Sequence, residues 1–420
     1  MKSSLLFRST LFAISIACIS CNPIGGAFDY KPEDLEKQIS AEARTLIDQA
    51  FDDIKGETLR DYHVHMLGMN TALNGTWVNE DWQSPWGGLT HFFQFEIYKS
   101  AAGITDEQQS DAQYLSRLKD LIQFMPERGK FGIMAFDFFH DEQGQPHREL
   151  STFYVPNEYV MTLARKNPDM FFPIISIHPY REDATTALRH YAQQGVRFVK
   201  WLPNAMGIDP ASDTMQDKLD PYYRIMKEYD MVLISHTGVE AATEAEEYQR
   251  LGNPLLLKKP LDMGVKVVMA HVASLGECEK EEAAICLPGT PYVDLAIQML
   301  EDPKYAGLVF ADISALTQYN RHHNIDKILS KSSIHSKLIN GSDYPLPAIN
   351  IVIQTRSLVS SGHITPQERG ALNEIYDYNP LLFDFVLKRT LRHSTTGAQF
   401  PPSVFIQHPK LPDDGKDHKP

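Results

Sequence analysis

Six side chains able to bind a metal or move a proton, His63, His65, Lys200, His236, His271 and Asp343, are spaced so that a repeating fold would bring them together. The first two stand one residue apart in LRDYHVHML (59–67). In a chain with 16 histidines, one such pair is expected by chance about 0.6 times, so the pair alone decides nothing. The others add a period: Lys200 to His236 is 36 residues, His236 to His271 is 35, and His271 to Asp343 is 72. Imidazole and carboxylate ligands suit a Zn²⁺-like ion, which lowers the pKa of water to near 7 and polarises a carbonyl. Asp343 is suited to take a proton from that water and pass it to a leaving group, as general base and then acid.

The elements that must position these residues are short β-rich runs alternating with helical patterns. FGIMAFDFF (131–139), FFPIISIHP (171–179), VRFVKWLP (196–203), MVLISHTG (231–238), VKVVMAHVA (265–273), LVFADISA (308–315) and SKLINGSDYP (336–345) join the opening segment to make eight strands. Helical stretches such as PNEYVMTLARKNP, ATTALRHYAQQG and DPYYRIMKEYD separate them. Continuous apolar strands alternating with helices imply a parallel sheet covered on its outside, and eight units predict a closed (β/α)8 TIM barrel. Lys200 closes RFVK, His236 follows VLIS, His271 follows VVMA and Asp343 follows LINGS. Side chains at these strand ends converge on one mouth, and residues i and i+2 of a strand, such as His63 and His65, face the same way. Strand seven is read as carrying no ligand. Each residue has an ordinary alternative (a core histidine, a rim lysine, an aspartate capping a turn), but coincidence at five matching strand ends argues against it.

The set resembles the amidohydrolase superfamily, and specifically its amidohydrolase-2 branch, over roughly residues 60–385. ISIHPY, GSDYP and YNPLLF (378–383) add to the likeness. The resemblance implies a TIM barrel holding one or two divalent ions, zinc or alternatively manganese. In it His63, His65 and Asp343 bind the first ion, His236 joins them or binds a second, and His271 is a second-metal ligand or an electrophile. Lys200 would be N6-carboxylated to bridge two ions, or remain an ammonium that binds a substrate carboxylate. The implied function is hydrolysis of a C–N or C–O bond in an amide, cyclic amide, ester or lactone. The alternative is non-oxidative decarboxylation or hydration of an aromatic or unsaturated acid. His178, Tyr180, Trp201, Asn204 and Arg321, with His322 and His323, are candidates for the substrate pocket.

Four segments are expected: a signal peptide at 1–21, a linker and helix at 22–57, the barrel at 58–392 and an extended or disordered tail at 393–420. An aromatic-rich insertion with Trp77, Trp82 and Trp86 follows strand one and is read as a lid or as rim packing. The start, MKSSLLFRSTLFAISIACISCNP, resembles a bacterial lipoprotein signal, with Cys21 as the lipidated residue and Cys18 as the alternative. That implies export to the periplasmic side of the outer membrane, or a soluble periplasmic protein, with membrane contact only through the lipid. The remaining Cys278 and Cys286 would then be a disulfide or two thiols. A formal charge of -14 without a Lys/Arg-rich run excludes nucleic acid as a partner and leaves a small-molecule substrate.

Overall fold

The eight apolar runs fold as parallel strands: β1 Arg60–His65, β2 Lys130–Met134, β3 Phe171–Ile175, β4 Phe198–Trp201, β5 Val232–Ser235, β6 Lys266–Met269, β7 Val309–Asp312 and β8 Leu338–Ile339. The computed structural model describes residues 30–413, apart from 128 and 244. The expected signal peptide and Cys21 lie outside the described residues. The strands pair in sequence order from β1 to β8. Backbone bonds then join β8 to β1: Tyr62 N to Asn340 O at 3.0 Å, Asp343 N to His63 O at 2.8 Å and His65 N to Tyr344 O at 2.9 Å. The sheet therefore closes into a barrel, with helices such as Asn157–Lys166, Ala184–Gln193 and Gln216–Glu228 in the crossovers. No helix among the described residues is long and apolar enough to cross a membrane.

Strand alternation sets what each residue meets. Phe172, Ile174, Phe198, Val232, Ile234, Val268, Phe310 and Ile339 fill the barrel interior. Val199, Trp201, Leu233, Val267, Met269, Val309 and Ala311 pack outward under the helices. Continuing the inward phase leads to Lys200 on β4, His236 beyond β5 and Asp312 on β7. On β1 the pairing with β2 slips between Asp61 and Val64. This bulge lets Tyr62 plug the interior while the next residue, His63, also turns toward the axis. His271 falls on the outward phase of β6. A left-handed turn, with φ of 61° at His271, 48° at Val272 and 47° at Ala273, redirects it into the mouth. Three such residues without glycine, one β-branched, store strain of order 1–3 kcal/mol each, held here by packing around the site.

The ends of the chain brace the barrel. The helical pattern before β1 breaks in two, Leu35–Gln38 and Ala41–Asp52, because Ser40 caps the second helix by accepting from Ala43 N. That helix packs on Pro366–Tyr378 and Pro380–Thr390. Pro380–Thr390 is capped by Asn379, which accepts from Leu382 N, with Pro380 at the first helical position. The tail runs as an extended strap: Arg60 N donates to Phe405 O, Asn340 N to Val404 O, and Leu411 joins the interior cluster. It closes the amino-terminal end of the barrel, opposite the mouth.

Two insertions flank the mouth. After β1, Trp82 is buried, stacks on His91 at 4.7 Å and packs with Val78 and Phe95, whereas Trp86 is 95% exposed. Helix Leu89–Ala101 reaches across to the loop after β5, where Tyr98 Oη donates to Ala242 O at 2.8 Å. After β6, Cys278 and Cys286 are disulfide-bonded. The short closed loop gives a chain-entropy stabilisation of about 2.5 kcal/mol. Cys286→Ala is therefore expected to lower the denaturant-derived unfolding free energy by about that much; an unchanged value would contradict the assignment.

Candidate active site

At the carboxyl end of the barrel, three ligand-type atoms face one another. His63 Nε2 lies 3.3 Å from His65 Nε2, and Asp343 Oδ1 lies 3.4 Å from the first and 3.3 Å from the second. His63 is fully buried and its Nδ1 sits 2.9 Å from Asp312 Oδ2. An ionised carboxylate only accepts, so Nδ1 carries the proton and the Nε2 lone pair points at the cluster. The ligand-type atoms of His63, His271 and Asp343 also lie within 4.8 Å of one another. A side chain at Gly341 would meet His63 Cβ at 2.7 Å, so β8 approaches the site only because residue 341 has none.

Two imidazole nitrogens and a carboxylate oxygen converging this closely, with the Lys200 ammonium beside them at 3.1 Å from His63 Nε2, make a ligand set of the kind a divalent cation takes. Tetrahedral zinc, with bonds of about 2.0–2.1 Å, sets its ligand atoms about 3.3 Å apart, and the observed separations match. His236 supplies a second observation: its Nδ1 faces Glu240 Oε2 at 3.4 Å, and its buried Nε2 has no hydrogen-bond partner. The donor set therefore fits a divalent cation. His63, His65, His271 and Asp343 would hold it, with His236 beside them, its ring 5.0 Å from that of His271.

The electrostatics keep these groups in ligand form. Burial holds the His63 and His236 imidazoles below their ordinary range and pushes His271 down to about 3. Burial opposes ionisation of Asp343, but the neighbouring His63, His65 and His271 outweigh it and hold the carboxyl well below its usual range. Lys200, fully buried with Nζ 3.1 Å from His63 Nε2, is lowered by burial to about 8.

The other sequence candidates separate. Arg321 stays at the mouth, 5% exposed. Trp201, one residue past the inward Lys200, faces out and packs on Tyr222 and Tyr223. His178 is fully buried and spans loops, its Nε2 2.8 Å from Met206 O, and Tyr180 Oη accepts from Asp209 N. Asn204 Nδ2 donates to Gly238 O and to Gln249. Trp201, His178, Tyr180 and Asn204 thus brace the rim instead of lining the pocket, and His323 turns to Asn324. A cavity of about 760 Å³ lined by His140, Arg181 and Lys218 opens on the flank and includes none of the cluster.

Sequence reasoning missed Asp312 and Ser314. Asp312 Oδ1 accepts from His271 N at 2.8 Å and from Ser314 Oγ, while Ser314 Oγ lies 2.8 Å from His271 Nδ1. One carboxylate thus orients both His63 and His271. Strand seven, read as empty, carries the site's orienting residue, and the inward phase Phe310, Asp312, Ser314 was the available signal. Asp312→Ala is expected to weaken divalent-metal affinity about 10–100-fold, measured by chelator competition; unchanged affinity would show that His63 needs no such partner.

The sequence profile of a family described as Amidohydrolase matches residues 61–290. The match runs from β1 into the loop after β6 and stops before Asp312 and Asp343. The curated proteins give no match. Among solved structures, the chain is similar to an uncharacterized TIM-barrel protein from Bordetella bronchiseptica, with 15% identity, TM-score 0.42 and coverage of 76% of this chain and 95% of that one. It is similar to a probable 2-pyrone-4,6-dicarboxylic acid hydrolase from Acinetobacter baumannii, with 12% identity, TM-score 0.43 and coverage of 77% and 96%. A third likeness is to a manganese-bound 5-carboxyvanillate decarboxylase from Novosphingobium aromaticivorans, with 12% identity, TM-score 0.39 and coverage of 78% and 97%.

Proposed function

The chain belongs to the amidohydrolase family, whose profile covers more than half of it, and from that premise we propose that it is a metal-dependent hydrolase of a C–N or C–O bond in a small amide, cyclic amide, ester or lactone. The observation that carries the reading is the triangle of His63 Nε2, His65 Nε2 and Asp343 Oδ1, at separations of 3.3 to 3.4 Å. When bound, a divalent cation supplies Lewis acidity to the reacting carbonyl and to the attacking water.

The chain's own groups do the rest. Asp343, ionised at neutral pH, accepts the proton of the attacking water and delivers it to the leaving nitrogen or oxygen. Asp312 keeps the Nδ1 proton on His63, so the imidazole presents its lone pair inward. His271, neutral and donating through Nδ1 to Ser314 Oγ, which itself donates to Asp312, would present its Nε2 lone pair to the cation. The insertion helix Leu89–Ala101, tied to the loop after β5, limits water entry.

Lys200 divides two versions of this chemistry. Its lowered pKa of about 8 leaves part of the amine neutral near pH 7, the form that adds to carbon dioxide and releases a proton to give a carbamate. That version takes two cations and favours hydrolysis. Its position as a donor 3.1 Å from His63 Nε2 favours the second reading, a decarboxylase or hydratase of an aromatic or unsaturated acid with one cation and an unmodified lysine. Intact mass after mild handling separates them: about 44 Da added at Lys200, with two metals per chain, supports the carbamate, and one metal with unmodified lysine sinks it. Turnover of lactone and amide panels with added Zn²⁺ or Mn²⁺ tests the hydrolase reading, and activity confined to aromatic acids would overturn it. The Cys278–Cys286 bond supports an exported protein; recovery in the cytoplasmic fraction of its host would contradict export.

A further inference from the structure

Arg321 is a buried cation without an ionic partner. It stands on the loop after β7, is 5% exposed, and has no carboxylate within 4.0 Å among the described residues. Its Nη1 donates to Ser274 Oγ at 3.3 Å and Nη2 to Val239 O at 3.4 Å, both long contacts to neutral groups on the loops after β6 and β5. Its Nε has no partner at all.

Nearby acids do not answer it. Glu240, Asp343 and Asp312 are within electrostatic reach, but each is committed elsewhere. Glu240 accepts from the backbone N–H of Ala242 and Thr243 and faces His236. Asp343 belongs to the histidine cluster, and Asp312 holds His63 and His271. Guanidinium groups are rarely buried unpaired, because removing the charge from water costs several kcal/mol. A cation bound at the cluster would draw on Asp343 and leave Arg321 as excess positive charge at the same mouth. Ser274 and Val239, which Arg321 contacts, lie three residues beyond His271 and His236 on the same loops, so Arg321 stands beside the cluster.

We propose that Arg321 is a specificity residue that binds a carboxylate carried by the substrate, restricting the enzyme to anionic acyl compounds. The inference rests on the hydrolase reading for what happens at the other end of the substrate, but the anion site stands on its own geometry. Nε and an Nη together form the planar fork that matches two carboxylate oxygens.

Calorimetric titration of the metal-loaded protein with benzoate and with benzamide, matched in shape and differing in charge, tests it. Benzoate is expected to bind at least about tenfold more tightly. Arg321→Gln should erase that preference, and Arg321→Lys should keep its sign while lowering benzoate affinity. Equal binding of the two probes by the native protein overturns the proposal, as does an undiminished benzoate preference in Arg321→Gln. If the glutamine variant does not fold, the native comparison and the lysine variant still decide. A benzoate preference without turnover on the amide and lactone panels removes the hydrolase assignment and leaves the anion site. Turnover without the preference does the reverse.

Discussion

Asp343→Asn is expected to reduce kcat by about 10²–10⁴-fold while leaving the fold intact. The carboxylate touches the cluster through Oδ1, at 3.3–3.4 Å from the two imidazoles, whereas its structural bond comes from its backbone, Asp343 N to His63 O. Asparagine preserves that backbone bond and the side-chain shape. It cannot accept a proton at neutral pH, and it weakens the ligand set by one negative charge. The residue sits at φ 61°, a conformation asparagine tolerates about as well as aspartate, so little strain is added. Steady-state kinetics at matched metal loading, with thermal unfolding as a control, checks this. A variant retaining more than roughly a tenth of native activity would remove Asp343 from the proton path.

The second large effect lies behind the β8–β1 seam. Lys388 Nζ donates at 2.6 Å both to Gly341 O and to Asp384 Oδ2, with the two side chains 1% and 3% exposed. Burial pushes the Asp384 carboxyl up to about 7 even beside this lysine. Breaking a buried pair by removing one partner costs about 3–5 kcal/mol. Lys388→Met should fall near 3 kcal/mol, because Asp384 can take up a proton instead of remaining a lone charge. Asp384→Leu combined with Lys388→Met should recover much of the loss, since an apolar pair of similar volume replaces the ion pair. Denaturant unfolding of the three proteins measures this, and a single variant within about 0.5 kcal/mol of native would contradict it. Lys388 grips the carbonyl two residues before Asp343, and Asp61 Oδ1 accepts from His63 N and Ser342 N at 3.0 and 2.9 Å. The same seam therefore holds both halves of the triangle, and a loosened seam should also lower metal affinity.

What could be read in advance follows from periodicity. Strand ends about one βα unit apart picked out Lys200, His236 and His271, and a further interval of about two units picked out Asp343, because a barrel sends every strand end to one mouth. Trp201 was read as a pocket candidate although the same phase turns it outward, since it is the neighbour of an inward lysine. His271 was found although alternation would turn it away; its left-handed turn is a tertiary device that no local pattern announces. Asp312 was missed because its partner, the Nδ1 of His63, lies 249 residues away in sequence, and orienting residues carry no spacing signal of their own. His178, Tyr180 and Asn204 have pocket-like chemistry but are consumed by loop-to-loop hydrogen bonds, which only the three-dimensional partners reveal. In the tail, polarity and proline content masked a strap whose buried residues Phe400, Val404, Phe405 and Leu411 are too few and irregular to read as an element.

The chemistry proposed for the mouth turns on a catalytic divalent cation held by His63, His65, His271 and Asp343. Metal content per chain, measured by elemental analysis after gel filtration of the native protein and of His63→Ala, tests it most directly, together with hydrolysis before and after chelation and metal return. At least about one divalent metal per native chain is expected, with loss from the variant and activity that disappears on chelation and returns with Zn²⁺ or Mn²⁺. A native protein that turns over substrate at full rate after chelation, or a His63→Ala protein that keeps its full metal content, would remove the catalytic cation from this cluster.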